Sequence, residues 1–225
     1  MKIRGPRTGS VRLPSLRMSA LFLALGAAWS MAGASPAGQA AAEWQPLFDG
    51  KTLTHWRPTK FGAEGEVKVA DGRIVLQGGR GDLTGITWDG PPLPTTNYEL
   101  ALQAMRVEGN DFFAGVTFPV GDSFCSLILG GWGGTVVGLS SINGRDASEN
   151  DTTQSIEFER GRWYDVRIRV TPAKIQVFLD GRQIIDADIA GKEISVRVEV
   201  ELSEPLGIAT WRTTGALREI RLRRL

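Results

Sequence analysis

Three groups of side chains in this sequence have the types and spacing to do chemistry. Asn110 and Asp111 follow Gly109 at a break between two apolar runs, and Asn143, Arg145, Asn150 and Asp151 sit in the polar stretch from Ser140 to Thr153. That stretch is longer than a simple hairpin loop, and long ordered loops on a rigid scaffold are where binding residues concentrate. Asp111 with Asn143, Asn150 and Asp151 is one candidate polar site, with Asn110 and Arg145 beside it. The same oxygen-rich set suits calcium, for which Asp151 is the candidate ligand; solvated turn residues are the plain alternative. A second feature is Trp132, framed by Gly130, Gly131, Gly133 and Gly134. Glycines allow close backbone approach or a positive φ, so the indole reads either as a stacking platform or as a cap on the core. Third, Glu157 with Glu159 and Glu199 with Glu201 lie two residues apart on expected strands, about 6.6 Å between Cα atoms. That separation suits paired-carboxylate glycoside hydrolysis, while nearby arginines explain the same pattern as cross-strand ion pairs.

Other mechanisms are excluded by counting. The chain has one cysteine, Cys125, and one histidine, His55. No intramolecular disulfide, paired-thiol redox motif or Cys-rich zinc site can form, and any catalytic triad would have to use this one imidazole. Cys125, next to Phe124, reads as a small buried hydrophobe, and His55 as a surface residue. Residues 1–42 carry five basic residues and no acid, so the 26 basic against 25 acidic groups of the whole chain become 21 against 25 without them, and the net charge moves from +1 to −4. A mildly acidic body lacks the concentrated positive surface that phosphate recognition needs, so nucleic acid is not an expected partner.

These candidates need elements to position them. A basic stretch to Arg17 leads into an apolar run, Met18 to Ala34, and then small residues with A-x-A patterns. This predicts a secretory signal and leader over 1–42, with an uncleaved anchor as the alternative, and a secreted or periplasmic body off the membrane after cleavage. The body, 43–225, is long enough for one domain. Its patterning is of period two: Val166, Ile168 and Val170 alternate with charged residues, as do Val196, Val198 and Val200, which predicts half-buried strands at both places. Asp71-Gly72 and Asp180-Gly181 predict tight hairpins. Further strands are expected over 83–88, 98–107, 112–118, 124–129, 135–139, 154–160, 207–211 and 217–223. No window shows a helical period. The prediction is an all-β, two-sheet antiparallel sandwich of jelly-roll type, with Trp56, Trp163 and Trp211 in the core; strand order is not readable from one sequence, though pairing of first and last strands is common in such folds. Glu99, on the 98–107 strand, is expected to face the same pocket as Asp111.

The opening Trp44-Gln45-Pro46-Leu47-Phe48-Asp49-Gly50-Lys51-Thr52-Leu53-Thr54-His55-Trp56 resembles the start of the 3-keto-disaccharide hydrolase family, LF-[ND]-G-x-x-L-x-x-W. The hairpin around Gly161 to Ile168 and Ile175 to Arg182 and the ending Pro205 to Trp211 with Leu217 to Leu225 resemble that family's later strands. The resemblance implies a concanavalin A-like jelly roll and hydrolysis of 3-keto-glycosides. In the middle the chain departs from the family pattern, and only Asn110 carries over. Such a substrate asks for a general base, for which Asp111 and Glu99 are the candidates, and a donor or metal at the enolate. Trp132, Asn110, Asn143, Arg145 and Asn150 are the candidates for holding the saccharide. A non-catalytic carbohydrate-binding jelly roll is the alternative, and a laminin-G-like module with a protein ligand is a third.

Overall fold

In a computed structural model of the chain, which describes residues 42–225, alternating side chains become strands wherever the alternation finds a neighbour to pair with. All but the last residue of the expected leader lie outside the described residues. Numbered along the chain, the first sheet holds β1 (Gln45–Pro46), β3 (Val67–Ala70), β4 (Arg73–Leu76), β6 (Tyr98–Glu108), β11 (Trp163–Val170), β12 (Lys174–Leu179), β13 (Arg182–Asp188) and β15 (Thr214–Arg224). Its order is β13-β12-β11-β6-β15-β4-β3, with β1 added on β15. The second sheet holds β2 (Trp56–Pro58), β5 (Leu83–Trp88), β7 (Ala114–Val120), β8 (Ser123–Gly131), β9 (Val136–Ser140), β10 (Gln154–Ser155) and β14 (Gly207–Trp211), in the order β10-β9-β8-β7-β14-β5-β2. Every pairing is antiparallel, so the expected all-β sandwich is the observed architecture. The first and last strands do pair, Gln45 opposite Leu222 and Pro46 opposite Arg221.

Both predicted hairpins form. Asp71 and Gly72, and Asp180 and Gly181, take positive φ values (51° and 74°, 48° and 80°), which match the strand twist as a type I′ turn does. Between the sheets, one face of each strand builds the core: Leu100, Leu102 and Ala104 from β6, Leu127 and Leu129 from β8, Ile208 from β14. Because side chains alternate across a strand, Ile128, Ala209 and Leu83 fall on the outer face of the second sheet, where they form a second apolar cluster with Phe112, Ala147 and Val200.

That outer cluster explains two corrections. The 196–201 stretch, expected as a strand, instead enters a 3₁₀ helix, Val198–Ser203. It finds no strand edge to pair with; Val200 N donates to Arg197 O and Glu204 N to Glu201 O, and the segment lies across the second sheet with Val200 buried and Val198 exposed. Gly207 permits this closeness, since a Cβ there would stand 2.6 Å from Ser203. The 154–160 strand is real only at Gln154–Ser155. Trp56 is buried as expected, whereas Trp163 and Trp211 are only partly buried: Trp163 points outward from the first sheet, its ring under the Arg218 guanidinium, and Trp211 joins the outer cluster. Among the described residues no helix is long and apolar enough to cross a membrane.

Candidate functional site

The outer cluster is not fully covered. Where the 197–203 segment ends its cover, a cleft of about 240 Å³ opens, floored by Phe112, Ile128, Val200 and Trp211. Trp132 flanks it, and its polar groups are Asp111, Arg197 and Glu199. An apolar floor with a few converging polar groups is the usual make-up of a small-molecule site.

Trp132 stands there because of its turn. Gly131 to Gly134 make a tight turn closed by Gly134 N to Gly131 O at 3.1 Å, with Trp132 at φ 48° and Gly133 at φ 89°. Bulky residues rarely take this left-handed conformation, which costs about 1–2 kcal/mol, and Asn or Gly is the usual occupant. Gly130, an unpaired bulge residue between Leu129 and Gly131, also has positive φ. The turn is held from below by Arg106. Parity on β6 points Arg106 inward after Leu102 and Ala104, and it is buried. Its Nη2 donates to Gly134 O at 2.8 Å and to Gly130 O at 3.2 Å, and its guanidinium lies 5.1 Å from the Phe113 ring centroid. A Cβ on Gly130 would come within 2.3 Å of that Nη2, so only glycine admits the guanidinium. Burial pulls the Arg106 pKa below its usual value, although a guanidinium remains charged at neutral pH. The result is an indole 46% exposed beside the cleft.

Asp111 is fixed from the other side. Its N–H donates to Thr213 Oγ1 at 3.1 Å; its Oδ1 accepts from Phe112 N at 2.7 Å and its Oδ2 from Gly133 N at 3.4 Å. Among the described residues it makes no ion pair, and it is partly exposed. Arg197 is oriented by Asp146, Nη1 to Oδ2 at 2.7 Å, and by Glu199, Nη2 to Oε1 at 2.8 Å. The Arg197 hydrogen bonds hold the Glu199 carboxyl below its usual range, so Glu199 stays ionised. The cleft therefore offers one unpaired carboxylate, one anchored guanidinium and two indoles.

The remaining sequence candidates lie elsewhere. Glu99 is a correction: it sits on the outer face of the first sheet, fully buried beneath Arg167, Arg169 and Arg223 (2.5–2.8 Å). It shares no pocket with Asp111, and its oxygens are occupied. Asn110 is exposed on the turn and does not line the cleft. Asn143, Arg145, Asn150 and Asp151 gather not with Asp111 but along a separate groove of about 580 Å³ beside β13. Asn150 is spent inside its loop, its amide donating to the carbonyls of Leu139, Arg145 and Asp146 and its Oδ1 accepting from Thr152, and Asn143 Oδ1 accepts from Glu193 N. Among the described residues no three His, Cys, Asp or Glu side chains cluster as a metal site, and Asp151 is an exposed turn residue. Neither Glu pair shares a strand face. Glu157 and Glu159 are exposed in irregular chain, and of the second pair only Glu199 lines the cleft. Sequence reading missed Arg106, Phe112, Arg197 and Trp211 as site residues. For Arg106 there was a signal, a charge at an inward position of an otherwise apolar alternation; for Arg197 there was none, because its place depends on where the 3₁₀ segment folds back.

Residues 43–223 match the family described as 3-keto-alpha-glucoside-1,2-lyase-like domain. No curated protein matches the sequence. Among solved structures, the chain is similar to a carbohydrate-binding module from Bacillus subtilis, with 15% identity, 75% of this chain and 95% of that one covered, and a TM-score of 0.51. It is similar to the Crh5 transglycosylase in complex with NAG, with 11% identity, 82% and 85% covered and a TM-score of 0.56. The carbohydrate recognition domain of Emp47p aligns at 10% identity, 77% and 90% covered and a TM-score of 0.51. At these identities the likeness is one of fold.

Proposed function

Because the chain belongs to the 3-keto-alpha-glucoside-1,2-lyase-like family, we propose that it holds a 3-keto-glycoside in the Trp132–Trp211 cleft and cleaves its glycosidic bond by elimination, with Asp111 as the base. The observation that carries this reading is that a carboxylate free of ion pairs among the described residues, Asp111, and an anchored guanidinium, Arg197, line one cleft together with two indoles. A carbonyl at C3 acidifies the C2 proton. The Asp111 carboxylate takes that proton, the C–H electron pair passes into an enolate, and Arg197 stabilises the charge on its oxygen. Collapse of the enolate restores the carbonyl, forms the C1–C2 double bond and expels the C1 oxygen, which takes up a proton. Water then adds across the double bond to give the free 3-keto sugar. The two indoles stack on the C–H faces of the ring, and the 240 Å³ volume suits one ring better than a chain of them. The leader expected from the sequence supports an extracytoplasmic place of action.

The test is release of sugar from 3-keto-glycosides and their unoxidised parents, with and without calcium, followed by mass spectrometry. Release confined to the keto substrates and lost in Asp111→Asn supports the reading; a folded Asp111→Asn that retains full activity removes Asp111 from the base role. A binding-only function is the second reading, favoured by the strained, half-exposed Trp132. In that case neither substrate is cleaved, while titration calorimetry shows glycan binding that Trp132→Ala weakens without lowering stability.

A further inference from the structure

The outer face of the first sheet, on the far side of the sandwich from the cleft, carries an ordered grid. Strand register sets Arg169, Glu99 and Arg223 abreast, then Arg167, Ala101 and Arg221, then Asp165, Gln103 and Arg218. In the first row the carboxylate of Glu99 lies between its arginines and is consumed by them. In the third, Gln103 Nε2 donates to Asp165 Oδ1 at 2.7 Å and Arg218 Nε to Gln103 Oε1 at 2.6 Å. The middle row has no such bridge. Its central residue is an alanine, and a depression of about 450 Å³ opens there with Arg167, Arg221 and Arg223 around it.

Strands β11 and β15 are both neighbours of β6, so Arg167 and Arg221 stand about 9.6 Å apart at their Cα atoms, twice the interstrand spacing. Where Glu99 fills the equivalent gap one row away, Ala101 leaves it open. Among the described residues Arg221 is incompletely matched: its Nε is buried without a partner, and its one ion pair is a 3.4 Å contact to the exposed Glu219. Arg167 spends Nη1 on Glu99 and lies 3.8 Å over the Phe178 ring, while Arg221 and Arg223 lie over Trp44. Stacked guanidiniums are pre-organised for planar oxyanions.

We infer that the depression over Ala101 is a second saccharide site, one that takes the carboxylate of an acidic sugar between Arg167 and Arg221. The rim decides between sources of negative charge. Asp165 and Glu219 line the same depression and repel a polyphosphate or an anionic lipid surface, whereas they accept hydrogen bonds from the hydroxyls of a uronic acid, which carries one charge per ring. The face then tethers the protein to acidic glycans while the cleft on the opposite sheet stays open.

The test is affinity electrophoresis and titration calorimetry with galacturonic acid oligomers, neutral glucose oligomers of equal length, inorganic phosphate, and vesicles containing phosphatidylserine. The acidic oligomers should bind, weakening as salt is raised. Arg221→Gln should bind them about tenfold or more weakly through loss of a charge-assisted pair, with a melting temperature lowered by no more than about 4 °C, because Arg221 makes only an exposed stacking contact with Trp44 and a long pair with Glu219. Ala101→Leu, which fills the seat without removing charge, should also block them, and Trp132→Ala on the other sheet should leave them unaffected. Equal binding of neutral and acidic oligomers, unchanged binding by folded Arg221→Gln and Ala101→Leu, or preference for phosphate or vesicles overturns the proposal.

Discussion

Replacing Arg106 with methionine tests whether the exposed tryptophan is held from beneath. The guanidinium makes two charge-assisted donations, to Gly130 O and Gly134 O, each worth about 1.5–3 kcal/mol. Losing both costs about 3–6 kcal/mol and leaves the carbonyls unmatched in the interior. Against this, Arg106 Nε is itself buried without a partner, and removing a desolvated polar group of that kind returns about 1–3 kcal/mol. Methionine also keeps apolar contact with Phe113. The midpoint of the balance is a destabilisation of about 2.5 kcal/mol, which for a body of this size lowers the melting temperature by about 5–10 °C. Thermal unfolding by circular dichroism measures it. The same variant should weaken saccharide binding, because without the two anchors the turn is no longer held in the left-handed conformation that presents Trp132. Arg106→Lys, which keeps the charge but loses the fork, should fall between the two. A methionine variant that melts within about 1 °C of the parent and binds saccharide equally well would refute the account of how Trp132 is positioned.

Two further outcomes follow from groups remote from the cleft. Burial raises the Glu99 pKa but the hydrogen bonds from Arg223, Arg169 and Arg167 outweigh it, so the folded carboxyl sits below its ordinary value. A depressed folded pKa gives stability that is present above the unfolded value of about 4.3 and lost as pH falls from there through the folded value. Glu99→Gln should cost about 2–4 kcal/mol at neutral pH, at or below the usual range for breaking a buried pair because the arginines keep some water, and its melting temperature should fall less than the parent's below about pH 4.3; parallel acid profiles would contradict this. Cys125 is fully buried and its thiol is pushed up to about 12, mainly by burial. It should resist a thiol reagent in the folded protein and react on unfolding; labelling at equal rates in both states would show that the second sheet opens.

Much of the fold was legible in the sequence because a strand's side-chain period is local. The Asp-Gly turns and the alternation of β11 and β12 need only neighbours along the chain. The failures share one cause. The alternation at 196–200 is as regular as that at 166–170, yet it lies where no strand edge is free, and so it becomes a cover over the second sheet. Glu99 and Asp111 looked like partners by spacing, but Glu99 points from the outer face of one sheet and Asp111 lies at the rim of the other.

By itself the sequence determined the class of the fold, the excluded chemistries and two candidates, Asp111 and Trp132, which stand out through turn glycines and polarity and which the structure places at one cleft. Only the tertiary structure decided that Arg197 and Trp211 complete their cleft, that Arg106 holds the turn beneath them, and that the Asn143–Asp151 loop serves a different groove. Local pattern reports which face of a strand a residue occupies. Which other segment comes to lie on that face is set by packing between residues a hundred or more positions apart, as with Asp111 and Thr213, and no period in the sequence encodes it.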